Sequence, residues 1–120
     1  MEVSWIEHNN KKILFSNYEG CITADEMIGV LYTERNILLS QEKKVLVMSN
    51  YRDSFGSPRY MDEVIKIGKL VLKQKIQKTA VLGISGVKRI LFKAYLHYSG
   101  QRNVRLFTTR EEALKWLTEE

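Results

Sequence analysis

Two long apolar runs do most to constrain the fold of this chain. The stretches VLVM at residues 45–48 and TAVLGI at residues 79–84 show no alternation with polar positions. Continuous runs of this length are typical of β-strands that are covered on both faces. Because such strands occur in parallel sheets with helical crossovers, the chain is expected to form an α/β sheet.

A β-hairpin is predicted near the N-terminus. Apolar residues alternate with polar ones in residues 3–8 and again in residues 11–18. Asn9-Asn10 separates the two segments, and asparagine tolerates the positive φ of a tight turn. The hairpin therefore adds an antiparallel strand at one side of the sheet.

Helix starts divide the rest of the chain. Thr23 and Thr109 each stand three residues before a glutamate, which is the spacing of a capping box. Ser57-Pro58 has the pattern of an N-cap followed by the first helical residue. Helices are predicted over residues 24–39, 58–75 and 87–98 and in a short segment from 110, with a last strand at 103–107. The order is β-β-α-β-α-β-α-β-α, an α/β single domain over residues 1–120 with a mostly parallel sheet.

Helical spacing indicates which side chains face the sheet. The expected core positions, helix by helix, are Met27, Val30, Leu31, Ile37 and Leu38, then Met61, Val64, Ile65, Gly68, Val71 and Leu72, then Val87, Ile90, Leu91 and Ala94, and lastly Ala113, Trp116 and Leu117. This assignment leaves other apolar residues turned elsewhere: Tyr60, Ile67, Leu70, Phe92 and Leu96. Exposed, they would form a contact patch, and a homodimer through Ile67, Leu70, Phe92 and Leu96 is one prediction. Alternatively, wide helix faces wrap around the sheet end.

Several classes of function find no support in the residue pattern. Cys21 is the only cysteine, which excludes an internal disulfide and indicates a free, buried thiol. His8 and His97 have no Cys or Asp placed for a triad or a metal site. We therefore expect a non-enzymatic protein without metal or cofactor. The chain shows no signal peptide or membrane-spanning run, so the cytosol is the expected location.

The charge distribution is uneven. The net charge is +5, and all fourteen acidic residues lie outside residues 64–110, which carry lysines and arginines only. Such a field attracts anions and acidic partners without identifying them. Nucleic-acid binding is one alternative, although no recognition motif accompanies the charge. A carrier of lipid or acyl ligands is another, and it requires an internal apolar cavity.

The loops after the two apolar strands are the expected working end. Ligands and partners of open α/β sheets meet the carboxyl ends of the strands. The polar loop SNYRDSFGSPRY follows the first run, and Gly83-Ile84-Ser85-Gly86, a plausible anion cradle, follows the second. The residues predicted to contact a protein partner or a small anionic ligand are Tyr51, Asp53, Ser54, Ser57, Arg59, Ser85, Gly86, Lys88 and Arg89.

The chain resembles the STAS superfamily, in particular the stand-alone SpoIIAA-like proteins related to anti-sigma-factor antagonists. The segments that carry the resemblance are residues 5–8, 45–49, 78–86, 104–107 and 111–117. The resemblance implies a regulatory domain that acts through protein contact or a small anionic ligand. In the antagonists a serine directly before a glycine is phosphorylated. Here Phe55 stands at that place in Asp53-Ser54-Phe55-Gly56, so a phosphorylation site is expected only at Ser54 or Ser57.

Overall fold

The computed structural model describes residues 2–69, 73–99 and 103–119. Strands β1 (Glu2–His8) and β2 (Lys11–Asn17) form an antiparallel hairpin. Asn9 and Asn10 have φ values of 50° and 64°, the left-handed conformation that a two-residue hairpin turn requires. The predicted hairpin and its turn are confirmed.

The described strands form one mixed sheet. After β2 come β3 (Val45–Asn50), β4 (Ile76–Leu82) and β5 (Val104–Phe107), and the strand order is β1-β2-β3-β4-β5. β2 to β5 pair in parallel, and β1 is the antiparallel edge. The predicted α/β architecture is therefore confirmed.

The helices begin where the sequence predicts. They are α1 (Ala24–Leu39), α2 (Pro58–Ile67), the single turn α3 (Lys73–Lys75), α4 (Gly86–Ser99) and α5 (Arg110–Thr118). The hydroxyls of Thr23, Ser57 and Thr109 each accept the amide hydrogen of the residue three positions on, which satisfies an N–H that the helix leaves unpaired. Val71 and Leu72, predicted in the core of the second helix, lie outside the described residues. No helix in the described ranges combines the length and apolar character needed to cross a bilayer.

The sheet has two differently covered faces. The front face, which carries Leu14, Val47 and Val81, lies beneath α1, α2 and α4. The back face, which carries Ile13, Met48 and Ala80, packs against α5. Right-handed crossovers between strands in sequential order place α1, α2 and α4 on the same side. α5 follows the last strand and is free to cover the other.

Most predicted core positions of α1 and α5 are confirmed. The buried ones are Met27, Val30, Leu31, Leu38, Ala113 and Leu117, with Ile37 and Trp116 half-buried beside them. The prediction for α2 is wrong in part, because Tyr60 and Ile67 are 4% and 5% exposed and belong to the core. The Tyr60 ring packs edge-on against Tyr18 with centroids 5.4 Å apart, which fixes the rotation of the helix. Ile67 is thus unavailable for the predicted homodimer contact, and Leu70 lies outside the described residues.

The predicted core face of α4 is also wrong. Three of its residues are among the most exposed large apolar side chains of the described chain, Val87 at 72%, Ile90 at 69% and Leu91 at 65%, and Ala94 is exposed with them. Phe92 and Leu96, predicted to turn outward, are half-buried on the sheet side.

A polar contact accompanies this rotation of α4. Lys88 donates a hydrogen bond to the carbonyl of Ser54, in the loop that follows β3. Phe92 and Tyr95 lie one and two turns further along the same side of the helix, so the Lys88 contact and the burial of both rings favour the same orientation. The sequence pattern could not choose between the two apolar stripes of α4, because each has helical spacing.

Candidate functional site

The loops after β3 and β4 lie against each other, as predicted. Gly83 has a φ of 81°, and a Cβ at this position would stand 2.7 Å from the Cα of Arg52. Only glycine permits both this conformation and this approach. The amide of Tyr51 donates to the carbonyl of Leu82 at 2.8 Å, which ties the first loop to the end of β4.

Both candidate phosphorylation sites are buried in this arrangement, at 8% exposed each. The Ser54 hydroxyl donates to the carbonyl of Tyr51 at 2.6 Å. The Ser57 hydroxyl accepts the Tyr60 amide hydrogen at 3.2 Å as the N-cap of α2. A kinase could reach either hydroxyl only after these contacts open, so modification of Ser54 or Ser57 stays a prediction. Phe55, between them, is 48% exposed.

Two of the three predicted cations of the loops contact protein groups. Lys88 donates to the Ser54 carbonyl, and Arg59 pairs with Asp25 at 2.5 Å. The remaining predicted residues are spread along this edge: Asp53 is exposed beside Arg52 at 3.8 Å, Ser85 and Gly86 are exposed, and Arg89 is half-buried. Partner or anion binding by this set stays a prediction.

Within the described residues, the cations of the acid-free part of the chain lie on both sides of the sheet. Lys78 and Arg105 lie on the back-face side, where both cations stand over the Trp116 ring at 5.1 and 5.5 Å. Lys88 belongs to α4 on the front side. Because the sheet separates these groups, the charge distribution favours a nucleic-acid interface less than the sequence alone does.

A crevice opens behind the loops, between α4, α2 and the front face. Its inner cavity measures about 340 Å³ and its outer cavity, toward Phe55 and Pro58, about 490 Å³. The side chains that line both cavities are Tyr51, Tyr60, Val64, Phe92 and Tyr95. The two cavities are therefore neighbours, and the inner one has the size of a small-molecule pocket.

Aromatic rings form a continuous wall of this crevice. Tyr18 and Tyr51 stack with centroids 4.6 Å apart, and the hydroxyls of Tyr51 and Tyr60 lie 2.8 Å apart. Phe92 follows 6.5 Å from Tyr51, and Tyr95 follows 6.0 Å from Phe92. Burial raises the pKa of Tyr18, Tyr51 and Tyr60 well above the usual value, so these phenols stay neutral hydrogen-bonding groups.

The inner cavity also contains a buried carboxyl group. Glu34, on α1, is 4% exposed and lines the cavity next to the buried Ser49. The Ser16 hydroxyl donates to its Oε1 at 2.6 Å. Burial raises the pKa of Glu34 to about 7, although the Ser16 hydrogen bond acts in the opposite direction. The site can therefore present either a neutral carboxyl or a carboxylate near neutral pH.

The sequence prediction named Tyr51 but missed Glu34, Tyr18 and Tyr60. A signal for Glu34 was present, because it lies three residues after Leu31 and four before Leu38, both predicted core positions. A carboxyl group inside an apolar helix stripe is rare without a function or a partner. The spacing of apolar residues in the sequence does not indicate that Tyr18, Tyr51 and Tyr60 line the same cavity as Glu34.

Other reactive groups are not gathered into a centre. Within the described residues no group of three or more His, Cys, Asp or Glu is arranged to hold a metal ion. Cys21 is fully buried, as predicted, and burial raises the pKa of its thiol.

The comparison with known proteins identifies the family of the chain. No curated protein matches the chain at a significant level. The SpoIIAA-like family model, a STAS-type domain, matches residues 13–118. Since this match covers nearly the whole sequence and agrees with the sheet order and helix positions, the protein belongs to the SpoIIAA-like family.

Proposed function

We propose that this protein is a regulatory domain that binds a small, largely apolar molecule in the inner cavity between α4 and the front face. The SpoIIAA-like family is generally regulatory and non-enzymatic. The observation that carries the proposal is the cavity itself, about 340 Å³ and lined by apolar and aromatic side chains around a few polar groups. This combination is the usual character of a small-molecule site.

The inner cavity is a better candidate for the ligand site than the strand-end loops are. At the loops, Lys88 and Arg59 already contact protein acceptors, and the Arg59–Asp25 pair is exposed to water, which weakens the attraction of these cations for an anion. In the cavity, the half-buried apolar side chains Val64, Ile76 and Phe92 offer surface that a ligand can cover without displacing an ion pair. Burial of apolar surface is the main favourable contribution to such binding.

The loop after β3 and the inner cavity share residues, which suggests how a ligand bound in the cavity affects the loop. Tyr51 belongs to the loop by its backbone, while its ring lines the crevice. Lys88 holds the Ser54 carbonyl, and Phe92, one turn later on α4, lines both cavities. A ligand between Tyr51 and Phe92 therefore contacts the groups that hold the loop, where a protein partner of a STAS-type domain is expected.

Titration with the neutral probe 1-octanol, followed by backbone amide NMR, tests this proposal. Saturable shifts are expected at residues lining the inner cavity. Val81→Phe places a larger side chain on the cavity floor and is expected to weaken binding at least about tenfold, since overlap displaces the ligand. Val87→Phe makes the same substitution on the exposed side of α4 and is the matched control. Equal affinity of both variants, or no saturable binding by the wild type, contradicts the proposal.

Self-association through α4 is a second candidate function. Val87, Ile90 and Leu91 are 65–72% exposed on one side of this helix, a stripe that the sequence pattern assigns to the core. Apolar patches of this kind mark contacts with other proteins. This stripe replaces the homodimer surface predicted from Ile67, Phe92 and their neighbours.

Sedimentation velocity at rising protein concentration tests this second candidate. We expect a dimer whose population falls in Ile90→Asp. Leu39→Asp changes an apolar residue that is 52% exposed at the end of α1 and is the control. A wild-type protein that stays monomeric throughout the concentration series would exclude self-association through α4.

A further inference from the structure

We propose that the inner cavity selects an organic cation, a ligand with an ammonium group that pairs with Glu34 and an apolar tail that lies along the front face. The inference rests on the proposed function, because it names the ligand class for the same cavity. It reverses the charge of the ligand expected from the sequence, which was a small anion at the strand-end loops.

The charge of the cavity lining favours a cation. Glu34 is the only Asp, Glu, Lys, Arg or His among the described residues that line the inner cavity. The Ser16 hydroxyl binds it, but neither of the ion pairs in the described chain includes it. In its ionised form, this buried carboxyl lines open space without an ion-pair partner among the described residues, and a ligand cation supplies one.

The aromatic rings that line the same cavity also favour a cation. The Tyr18, Tyr51 and Tyr60 rings lie within 4.6–6.1 Å of one another, centroid to centroid. Aromatic faces attract ammonium groups through the ring quadrupole, most strongly where water is excluded. A carboxyl group together with several aromatic rings is thus a recognition set for an amine, and no Lys, Arg or His among the described lining residues is present to pair with an anion.

Among the described ionisable groups around this site, only Glu34 itself changes its charge near neutral pH. Tyr18 from the end of β2, Tyr51 after β3 and Tyr60 on α2 are phenols whose pKa burial raises further. On α1 itself, the neighbouring Arg35 stands over the Tyr32 ring at 4.5 Å instead. An ammonium group beside Glu34 favours the carboxylate, so amine affinity is expected to rise with pH up to about the pKa of 7 and then level off.

The test compares three probes with the same alkyl chain, octylamine, 1-octanol and octanoate, by isothermal titration at about pH 8, where an alkylamine is still protonated. Octylamine is expected to bind at least about tenfold more tightly than 1-octanol, with octanoate weakest, because only the ammonium group pairs with the Glu34 carboxylate. Between about pH 8 and pH 6 the octylamine affinity should fall roughly tenfold, while the 1-octanol affinity changes little.

Two variants separate pairing with Glu34 from general electrostatics. Glu34→Gln keeps the shape of the side chain and its bond to Ser16, and it is expected to remove the advantage of octylamine while 1-octanol still binds. Glu42→Gln removes the same charge from an exposed position and should leave all three affinities unchanged. Retained binding of 1-octanol also shows that Glu34→Gln is folded.

The outcomes distinguish this inference from the function on which it rests. Equal or tighter binding of 1-octanol or octanoate to the wild type overturns the cation inference and leaves the ligand-binding function standing. An octylamine affinity that Glu34→Gln does not reduce also overturns it. If none of the three probes binds saturably, the proposed function itself fails.

Discussion

The two faces of the sheet use the same strands in opposite ways. On the back face, Ile13, Met48 and Ala80 are fully buried against α5, whose Ala113 and Leu117 are equally inaccessible. On the front face, alternate residues of the same strands include Ser16 and Ser49, and they meet Glu34, a group of tyrosines and two cavities. The back face is closely packed. The front face is packed less closely, because polar groups and cavities take the place of some apolar contacts.

The largest expected effect comes from breaking the closed face. Leu117→Ala removes a fully buried side chain of α5 and leaves a cavity that is enclosed by the surrounding core. We therefore expect the free energy of unfolding to fall by about 3–5 kcal/mol. Leu31→Ala, on the front side, borders the existing cavity and should cost nearer about 2 kcal/mol. Urea denaturation of both variants measures the difference. Equal costs would show that the front face is packed as tightly as the back.

Glu34 makes the stability of the front face depend on pH. Its pKa is raised from an ordinary 4.5 to about 7, so the folded protein holds this proton over a range in which the unfolded chain releases it. The contribution is fully present below about pH 4.5 and is lost as the pH rises toward 7, with a total on the order of 3 kcal/mol.

Glu34→Gln should remove this contribution to the pH dependence of the free energy of unfolding. We expect the variant to be more stable than the wild type above about pH 7, where the wild type holds a buried carboxylate, and to approach it near pH 5. Urea denaturation at several pH values measures the effect, with Glu42→Gln as the exposed control. Parallel profiles for Glu34→Gln and the wild type would contradict the assignment.

Gly83 links the mouth of the crevice to the sheet by close backbone contact. Gly83→Ala introduces a Cβ that collides with Arg52 and adds strain at a φ of 81°, so a loss of about 2–3 kcal/mol is expected. Gly20→Ala has nearly the same φ, 83°, but open space around the new Cβ, and should lose only about 1 kcal/mol. Thermal melting compares the two. If both lose the same amount, backbone conformation and not the loop contact is what Gly83 provides.

The sequence predicted the scaffold well because its signals are local. The turn at Asn9-Asn10, the threonine caps and Ser57-Pro58 each act within a few residues, and all of them are confirmed. Two apolar stripes on α4 have equal spacing, so the choice between Ile90 and Phe92 depends on a contact from another part of the chain.

The candidate site was harder to predict for the same reason. Tyr18, Glu34 and Tyr51 come from separate elements and form a group only when the sheet assembles. The loop serines and cations were visible as a motif, but their hydrogen bonds within the protein were not. A motif in the sequence shows which groups are available, while the fold decides which of them remain open to a ligand.

The smallest expected effect concerns the contact between α4 and the loop after β3. Lys88→Ala removes the hydrogen bond to the Ser54 carbonyl and should lower the free energy of unfolding by about 1 kcal/mol, since the carbonyl can be rehydrated at the loop. Lys93→Ala, at an exposed position of the same helix, should change it by less than about 0.5 kcal/mol. Amide hydrogen exchange gives a sharper readout, because faster exchange in Lys88→Ala should appear at residues 54–57 and in α4 and leave α5 unchanged. If exchange rises equally on both faces, the Lys88 contact stabilises the whole domain, and the front face is not the separately adjustable half of this protein.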